Sequence, residues 1–556
     1  MEACSLRGSI DSVKAVALLA AALVGPITAQ VTERVSVDSG GIEGNGWSGF
    51  TSISADGRYV VFTSYSSNFV PGDTEGFKDV FVRDHQRGKT ECVSLDPQGA
   101  PGDEDSLVAS ISADGRYVAF GSLASNLVSG DRNEFVDVFV RDRQNAKTEL
   151  VSIDAFGAQG NDDSSAPAIT PDGRFVAFVS YASNLADGDM GGFGDVFVLD
   201  RWTGTIERVS VDSFEVQGNS HSGVGGPSIS ADGRYVAFVS WAGNLVPGDT
   251  NTDPDVFVRD RRAGTTERVS VSSFGAQGNH VSQLPSISAD GRFVAFASGA
   301  SNLVPGDTSG LDVFVRDRWS GTTERVSVDA FGGQGNDSSD WPSISADGRF
   351  VAFHSRATAL VPGDSNWDVD TFVRDRRSGT TERVSVDSLG AQGNNMSYQP
   401  SISADGRFVA FESLASNFVD ADTNGWDVYV HDRGSRTGTA NRFLGPVGSA
   451  GSASTPVVLT PGSDHGGRPL LLSVSDPRGP GGEDLVPLVI LTTRVELELR
   501  SMLGFFSAAP GSPVEIQIPV LADPSLLPQT LHAHGFLLDG RQGRPCLVPA
   551  LVTRVE

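Results

Sequence analysis

The chain has 556 residues and a formal net charge of −27, from 69 acidic and 42 basic side chains. This excess of acid disfavours nucleic acid and anionic membrane surfaces as partners, because both would repel it. It is compatible with solubility outside the cell, with cationic partners and with bound divalent cations. The length predicts more than one folding unit.

Residues 1–29 have the pattern of a secretory signal. Arg7 and Lys14 precede an apolar run from Ala15 to Val24, and the small residues Ile27-Thr28-Ala29 before Gln30 offer a cleavage site. The run is too short to span a bilayer, and we expect no membrane span once it is removed. We therefore predict a secreted or periplasmic protein, with an uncleaved membrane anchor as the alternative.

The three cysteines do not form a disulfide framework. Cys4 would leave with the signal, while Cys92 and Cys546 fall in different predicted domains. A disulfide bond between Cys92 and Cys546 is the alternative to two free thiols.

One motif recurs along the chain and organises it. Its Asp-Gly pairs begin at Asp56, Asp114, Asp172, Asp232, Asp290, Asp347 and Asp405, in steps of 58, 58, 60, 58, 57 and 58 residues. Seven copies at so regular a spacing indicate a repeat architecture.

Each repeat predicts four antiparallel strands. In the copy that begins at Pro285, these are PSIS, FVAFAS (293–298), DVFVRD (312–317) and ERVSVD (324–329). The first two are joined by an Asp-Gly turn, which tolerates the positive φ of tight hairpins. The β-branched and aromatic content favours strands. Four strands repeated seven times predict a β-propeller, and the absence of helical periodicity disfavours a solenoid.

The residues 288–296 (SADGRFVAF) and 312–317 (DVFVRD) are similar to the signatures of TolB-like, WD40-like propeller repeats of bacterial envelope and secreted proteins. This resemblance covers residues 31–435 and implies a propeller fold. It does not imply one activity, since such propellers have many unrelated functions. Two features depart from the family: the longer period, and the lack of a segment resembling the small domain that precedes the TolB propeller.

The expected fold is all-β, with a seven-bladed propeller at residues 30–440 that an N-terminal strand closes. VTERVSV at 31–37 matches the end of a repeat, so residues 32–38 are predicted to complete the last blade and cover its edge. A rival arrangement uses residues 440–444 instead. Residues 441–456 have the composition of a Gly/Ser-rich linker. Strand-like runs at 457–556 predict a small β-sandwich.

The alternation of strands places the long loops on one face. The loops between second and third strands share that face with the blade-to-blade connectors, while the short turns lie opposite. On the short-turn face, an arginine that begins each second strand should pair with an aspartate that ends the third. Each such surface pair is expected to contribute only about 0–1 kcal/mol.

The long loops hold the candidate metal ligands. Oxygen side chains at alternate positions suit a hard cation such as Ca²⁺, although an EF-hand would also need a distal glutamate. The alternative is that the aspartates cap turns through backbone contacts. The candidate calcium ligands are Asp249, Asn251, Asp253, Asp255, Asp364, Asn366, Asp368, Asp370, Asp422, Asn424 and Asp427.

The sequence offers no catalytic motif and predicts no catalytic or cofactor-binding residue. The inner strands, predicted as TSIS, ASIS, PAIT and four copies of PSIS, contain no His, Cys, Asp or Glu. This disfavours an active site deep in the channel, since catalysis requires groups that break the sevenfold sameness. A Gln-Gly-Asn triplet in five connectors suits a left-handed turn, or could present amides to sugar hydroxyls.

The sequence therefore favours an exported, monomeric, non-catalytic binding or scaffold protein. Its acidic loop face would bind a protein or surface glycan, with calcium as a candidate stabilising ion. The alternatives are a metal-assisted lyase or hydrolase acting on polysaccharide at the channel mouth, and a TolB-like envelope component that docks a lipoprotein.

Overall fold

The computed structural model describes residues 30–434, apart from residues 74, 75, 190, 191, 309, 421, 423 and 424, together with six strands between residues 457 and 548. Strands, turns and loops make up this described part, which contains no helix. The chain divides into two compact units, Met1–Arg436 and Thr437–Glu556. The predicted signal (1–29) and linker (441–456) lie outside the described residues.

Seven four-stranded antiparallel sheets form the first unit. The first strand is β1 (Val31–Arg34). Blade 1 consists of β2 (Ser48–Ile53), β3 (Tyr59–Ser64), β4 (Asp79–Asp84) and β5 (Lys89–Cys92). Blade 2 consists of β6 (Ser106–Ile111), β7 (Tyr117–Ser122), β8 (Asp137–Asp142) and β9 (Lys147–Leu150). Blade 3 consists of β10 (Ser164–Ile169), β11 (Phe175–Ser180), β12 (Asp195–Asp200) and β13 (Thr205–Arg208).

The remaining blades follow the same order from the innermost to the outermost strand. Blade 4 consists of β14 (Ser228–Ile229), β15 (Tyr235–Ser240), β16 (Asp255–Asp260) and β17 (Thr265–Arg268). Blade 5 consists of β18 (Ser282–Ile287), β19 (Phe293–Ser298), β20 (Asp312–Asp317) and β21 (Thr322–Arg325). Blade 6 consists of β22 (Ser339–Ile344), β23 (Phe350–Ser355), β24 (Asp370–Asp375) and β25 (Thr380–Arg383). Blade 7 consists of β26 (Ser397–Ile402), β27 (Phe408–Ser413), β28 (Asp427–Asp432) and, from the N-terminus, β1.

The pairing of β1 with β28 closes the ring. Val31 pairs with Asp432 and Arg34 pairs with Tyr429 in antiparallel register. The predicted closure by the N-terminal strand is thus confirmed, although the paired segment is shorter than 32–38. The rival segment 440–444 lies outside the described residues.

The outer strands end earlier than predicted. The fourth strand predicted at 324–329 is present, but it lies at Thr322–Arg325. The hydroxyl of Ser327 accepts a hydrogen bond from the amide of Val313 (3.1 Å) and donates to Asp312 (2.6 Å), so a side chain replaces the next backbone partner. The same exchange ends the outer strand in every blade, at Ser36, Ser94, Ser152, Ser210, Ser270, Ser327 and Ser385.

The inner strands extend further upstream than the predicted four residues. In blade 5, β18 begins at Ser282, and its register with β19 shifts between Gln283 and Ser286. Leu284 lies in this bulge with a φ of 52°. Blade 4 is the exception: its short inner strand follows a segment with positive φ at Gly223, Gly225 and Gly226.

The hydrophobic core lies between successive blades. Val313 and Val315 of blade 5, for example, belong to one buried cluster with Phe353 and Phe372 of blade 6. The Asp-Gly turn also fixes blade spacing. Gly291 has a φ of 72°, and a Cβ there would lie 2.1 Å from the Tyr235 ring of the preceding blade. Glycine is therefore required for both backbone conformation and close packing.

The two faces agree with the prediction. At one end of blade 5, Ser298 pairs with Ser282 on one side and with Asp312 on the other, and the long loops emerge from this end. We call this the long-loop face. At the opposite, short-turn face, Arg292 donates to both oxygens of Asp317 at 2.9 and 2.6 Å. All seven predicted Arg–Asp pairs of this kind form, namely Arg58–Asp84, Arg116–Asp142, Arg174–Asp200, Arg234–Asp260, Arg292–Asp317, Arg349–Asp375 and Arg407–Asp432.

The second unit contains two three-stranded antiparallel sheets, as a β-sandwich requires. The strands are β29 (Val457–Pro461), β30 (Pro469–Val474), β31 (Leu485–Leu491), β32 (Val514–Pro519), β33 (Ala533–Asp539) and β34 (Pro545–Val548). They pair in the orders β29-β30-β32 and β31-β33-β34. Of the strand-like runs predicted over 457–556, VELELRS at 495–501 lies outside the described residues.

The part of the chain that the structure describes holds no helix of the length and apolarity needed to cross a membrane.

Candidate functional site: the long-loop face

The two carboxylates of each long loop converge on an arginine of the outer strand. In blade 4, Nη1 of Arg268 lies 3.2 Å from Asp249 Oδ1 and 3.2 Å from Asp255 Oδ2. Gln277 of the connector adds amide donors, at 2.7 Å to Asp249 and 2.8 Å to Asp255. The predicted ligands Asp249 and Asp255 thus lie close together, but they surround an arginine and a glutamine side chain of the protein.

The other predicted oxygens of this loop have different environments. Asn251 Oδ1 accepts a third hydrogen bond from Gln277, at 2.7 Å, and so joins the cluster. Asp253 is half-buried and makes no hydrogen bond or ion pair within the described residues. Burial raises the pKa of Asp255, although Arg268 opposes that shift.

Blade 6 repeats the arrangement. Arg383 Nη1 lies 3.5 Å from both Asp364 and Asp370, and Gln392 donates to the same two carboxylates at 2.9 and 2.7 Å. Burial raises the pKa of Asp370 to about 6. Asn366 turns away and donates to the backbone of Gly393, at 3.0 Å. Asp368 donates its amide to Asn366 and is half-buried.

In blade 7, three carboxylates surround one guanidinium. Arg34 Nη1 lies 3.0 Å from Glu43, 3.3 Å from Asp422 and 3.3 Å from Asp427. The carboxylate oxygens of the three acids lie within 4.8 Å of one another. Glu43 occupies the position that a glutamine holds in the connectors of blades 2 to 6. The last predicted ligand, Asn424, lies outside the described residues.

These contacts give the acid pairs among the predicted calcium ligands internal partners. An arginine supplies the positive charge, and glutamine supplies donors, at the point where a cation would have to sit. Calcium binding at these loops stays a prediction, in which the ion would have to displace an arginine. The glutamines of the Gln-Gly-Asn triplets also turn towards the carboxylates, which leaves fewer amides for sugar hydroxyls.

A second cluster lies on the first and second strands of blades 6 and 7. The sequence predicted no acidic or histidine side chain on the first, innermost strands. That prediction was wrong, because β22 begins at Ser339 and carries Asp340. We call Asp340, Trp341, His354, Tyr398 and Glu412 the channel-wall cluster. The pairing of Asp340 with His354 and of Tyr398 with Glu412 places all of them near the long-loop end of blades 6 and 7.

Aromatic contacts connect the cluster across the two blades. The His354 ring lies 5.0 Å from the Tyr398 ring and 6.4 Å from the Trp341 ring, measured between centroids. Nδ1 of His354 accepts a hydrogen bond from the amide of Gln399 (3.3 Å), so its other ring nitrogen holds the proton. Burial lowers the pKa of His354 to about 4, and the ring is neutral at pH 7.

The two carboxylates of the channel-wall cluster are desolvated. Glu412 is 7% exposed and accepts a hydrogen bond from the amide of Phe50 in blade 1, at 3.0 Å. Burial raises the pKa of Glu412 to about 7. Asp340 accepts from the Trp341 amide at 2.7 Å and from Gln283 at 3.3 Å, and burial raises the pKa of Asp340. The signal in the sequence was the Asp-Trp pair that interrupts the repeat before PSIS.

Four exposed apolar side chains occupy equivalent positions at the long-loop ends of consecutive blades. We call them the rim: Tyr65 (43% exposed), Leu123 (37%), Tyr181 (41%) and Trp241 (39%). Each directly follows the serine that ends a second strand, in blades 1 to 4. Blades 5, 6 and 7 carry Gly299, Arg356 and Leu414 at that position.

A lysine and several further aromatic rings adjoin the rim. Lys78 Nζ lies 5.7 Å from the Tyr65 ring centroid, 5.8 Å from that of Phe50 and 5.9 Å from that of Trp47. In blade 3, Tyr181 lies 5.9 Å from His221. Tyr65 and Tyr181 nevertheless stay 43% and 41% exposed, and exposed rings offer surfaces on which an apolar or flat ligand group can stack.

Neither a comparison with protein-family models nor one with curated proteins finds a match. Solved structures with a similar fold include TolB from Agrobacterium tumefaciens, at 16% identity and a TM-score of 0.35, over 70% of this chain and 99% of that one. A second is an acylaminoacyl peptidase from Pyrococcus horikoshii, at 10% identity and a TM-score of 0.42, over 78% of this chain and 58% of the peptidase. A third is a GH74 xyloglucanase from Xanthomonas campestris, at 10% identity and a TM-score of 0.38, over 80% and 60%.

The chain is a seven-bladed β-propeller, a fold consistent with the TolB-like and WD40-like repeats that its sequence resembles. The strand order and the register of the seven sheets establish this. The chain spans less than two thirds of the peptidase and of the xyloglucanase, so their activities are not assigned to it.

Proposed function

We propose that the propeller is a non-catalytic binding module that holds a partner on its long-loop face. The observation that supports this is the rim, where four large apolar side chains in consecutive blades are each 37–43% exposed. Tyrosine and tryptophan in such positions are typical of binding surfaces, since they supply large contact areas with little side-chain entropy to lose.

The charge around the rim favours a basic polypeptide segment as the partner. The connectors beside it carry exposed acids, among them Asp103 and Asp163. The net charge of −27 adds a long-range attraction for cations. Complementary charge mainly accelerates association and selects partners, while the apolar rim would supply affinity. A surface glycan is the other ligand class, and it would stack on the rings without depending on charge.

The test compares the two ligand classes on one variant. Arrays of synthetic basic-aromatic peptides and of bacterial glycans are probed with the wild type and with Tyr181→Ser/Trp241→Ser. We expect the wild type to bind peptides, with affinity falling as salt rises, and the variant to bind at least about 30-fold more weakly, as for hot-spot residues. A control, Phe274→Ser, changes an exposed ring outside the rim. Equal binding by the wild type and the rim variant would refute the proposal. Binding to glycans that does not depend on salt would show that the partner is a glycan and not a basic peptide.

A second candidate function is the hydrolysis or lytic cleavage of a polysaccharide at the channel mouth. It is favoured by the channel-wall cluster, where Glu412 has a pKa of about 7, as a general acid requires. Glycosidases use two carboxylates, and Asp340 would be the partner to test. The test incubates a polysaccharide panel with the protein, with and without added divalent cations, and measures new reducing ends or unsaturated products. Products that form with the wild type but not with Glu412→Gln or Asp340→Asn would establish this activity.

We also propose that the protein is exported and monomeric. The signal-like pattern of residues 1–29 supports export, and the monomeric state is carried over from the sequence as a prediction. N-terminal sequencing of the mature protein, with cell fractionation and light scattering, tests both points. A TolB-like role in docking an envelope lipoprotein would require a periplasmic location.

A further inference from the structure

The acid pair of the long loop lacks an arginine in two blades. The outer-strand position that pairs with Phe257 in blade 4 holds Arg268. The same register position holds Leu150 in blade 2 and Cys92 in blade 1. In the other five blades it is Arg34, Arg208, Arg268, Arg325 and Arg383.

Blade 2 compensates for the missing arginine with its connector glutamine. Gln159 Nε2 donates to Asp131 at 2.6 Å and to Asp137 at 2.7 Å. In blade 1 the equivalent connector position, marked by the bridge from Leu95, is Pro101, which has no side-chain donor. Blade 1 therefore lacks both groups that hold the acid pair in other blades.

The acid pair of blade 1 is nevertheless buried. Asp73 is 5% exposed and Asp79 is 1% exposed. Oδ1 of Asp79 accepts a hydrogen bond from Ser94 at 2.6 Å, as in every blade. Asp73 makes no hydrogen bond or ion pair within the described residues. Burial raises the pKa of both carboxylates, that of Asp79 to about 7, and the charge of Asp73 adds to the shift of Asp79.

Asp73 also borders a cavity. It lines a cavity of about 580 Å³ between the loop of blade 1 and the connector hairpin at residues 38–40, with Thr90 on its wall. A buried carboxylate with no partner is costly, and proteins normally satisfy such a group with a cation or a proton.

We infer that Asp73 and Asp79 form a binding site for a hard divalent cation, which replaces the guanidinium nitrogen that joins the acid pair in five other blades. In those blades one Nη1 atom lies between 2.7 and 3.9 Å from each carboxylate, so the two acids converge on a single point. A calcium ion at that point needs oxygen distances of about 2.3–2.6 Å, so the two carboxylates would have to move closer to it than they lie to a guanidinium nitrogen.

The site would bind Ca²⁺ through the two carboxylates, with water from the cavity completing the coordination shell. A site with only two protein carboxylates resembles weak extracellular calcium modules, for which dissociation constants are about 0.1–1 mM. The cation would stabilise the folded state, and the melting temperature should rise with its concentration.

The decisive variant is Cys92→Arg, which restores the arginine of the other blades. The full-length, chelator-treated protein is titrated with CaCl₂, MgCl₂ and ZnCl₂ by calorimetry, and melting curves are recorded in parallel. We expect calcium to bind the wild type and raise its melting temperature. Cys92→Arg should melt higher than the wild type without calcium and should lose the calcium response.

Two controls keep the test independent of the folding of one variant. Asp73→Asn/Asp79→Asn removes the charges at nearly constant volume and should also lose the response. Leu150→Arg makes the same kind of change in blade 2, where Gln159 already joins the acids, and should keep it. No heat and no shift with the wild type, or a response that survives in Cys92→Arg, would overturn the inference. A response to zinc alone that disappears in Cys92→Ser would replace the hard cation with a thiolate-bound one.

Discussion

The hydroxyl of Thr32 lies 2.7 Å from Nδ1 of His431, so the beginning and the end of the propeller meet in a hydrogen bond across 399 positions of the chain. Thr32 donates its own proton to the carbonyl of Val386, at 2.5 Å, and therefore accepts from the histidine. Burial lowers the pKa of His431 to about 4, which keeps the ring neutral. The ring closure thus includes a fully buried polar link as well as a strand ladder.

Removal of Arg34 should weaken the closure more than removal of any surface arginine. Arg34→Ala would leave Glu43, Asp422 and Asp427 without their shared cation in a buried site. Breaking a buried ion pair in this way costs about 3–5 kcal/mol. Urea unfolding measures the loss, and Arg58→Ala, at a short-turn pair whose arginine side chain is 22% exposed, should lose less. Equal losses in the two variants would show that the closure does not depend on this cluster.

The turn glycines should tolerate alanine only where no neighbouring blade is in contact. Gly291→Ala places a methyl group 2.1 Å from the Tyr235 ring and strains a φ of 72°. Gly275→Ala strains a similar φ of 80° but meets nothing within 4 Å. The strain alone should cost about 1–2 kcal/mol, and overpacking should add about 1–3 kcal/mol in Gly291→Ala. Thermal melts of both variants separate the two contributions, and similar melting temperatures would contradict the packing role.

The folded protein should lose stability between pH 5 and pH 8. Burial raises the pKa of Glu412 and of Asp427 to about 7, from ordinary values of 4.5 and 3.8. Because the folded state binds these protons more tightly than the unfolded state, their contribution is complete below the unfolded pKa values and is lost as the pH rises through 7. The melting temperature in calcium-free buffer should therefore fall over this range, and less steeply in Glu412→Gln.

The control for this pH dependence is Glu104→Gln, at an exposed carboxylate of the blade 1 connector. It should leave the slope unchanged. The aspartates of the short-turn face act at a different pH. Hydrogen bonds from arginine lower the pKa of Asp142 and Asp200 to about 2, so their stabilisation is lost only as the pH falls from about 4 through 2. A melting temperature that rose from pH 5 to pH 8 would contradict the assignment of raised carboxylate pKa values.

The exposed rings of the connector hairpins should be dispensable for folding. Phe274 is 96% exposed, and Phe156 and Phe331 occupy the same place in other connectors at 96% and 97% exposure. A side chain that loses no contact with water contributes little to folding, so Phe274→Ser should change the free energy of unfolding by less than about 0.5 kcal/mol. Denaturant unfolding measures this. A larger loss would mean that the ring is buried in solution, for instance against another molecule.

Much of the fold could be predicted because the repeat carries local signals. Asp290-Gly291 marks a turn by backbone conformation, and the alternation in residues 312–317 marks a strand, so seven blades and their two faces follow from counting. The match of residues 31–37 to a repeat end was enough to predict closure. The outer-strand boundary was missed because Ser327 ends the ladder through its side chain, which no propensity shows.

The sequence alone determined the number of blades, the face that carries the long loops and the strand that closes the ring, because each depends on local periodicity. The tertiary structure alone decided which acids have partners. Asp249 meets Gln277, 28 residues later, and Arg268, on the outer strand, only after the blade has folded. The difference between an acid pair held by arginine and the buried pair at Asp73 and Asp79 therefore depends on strand register and burial, which bring distant side chains to a single point.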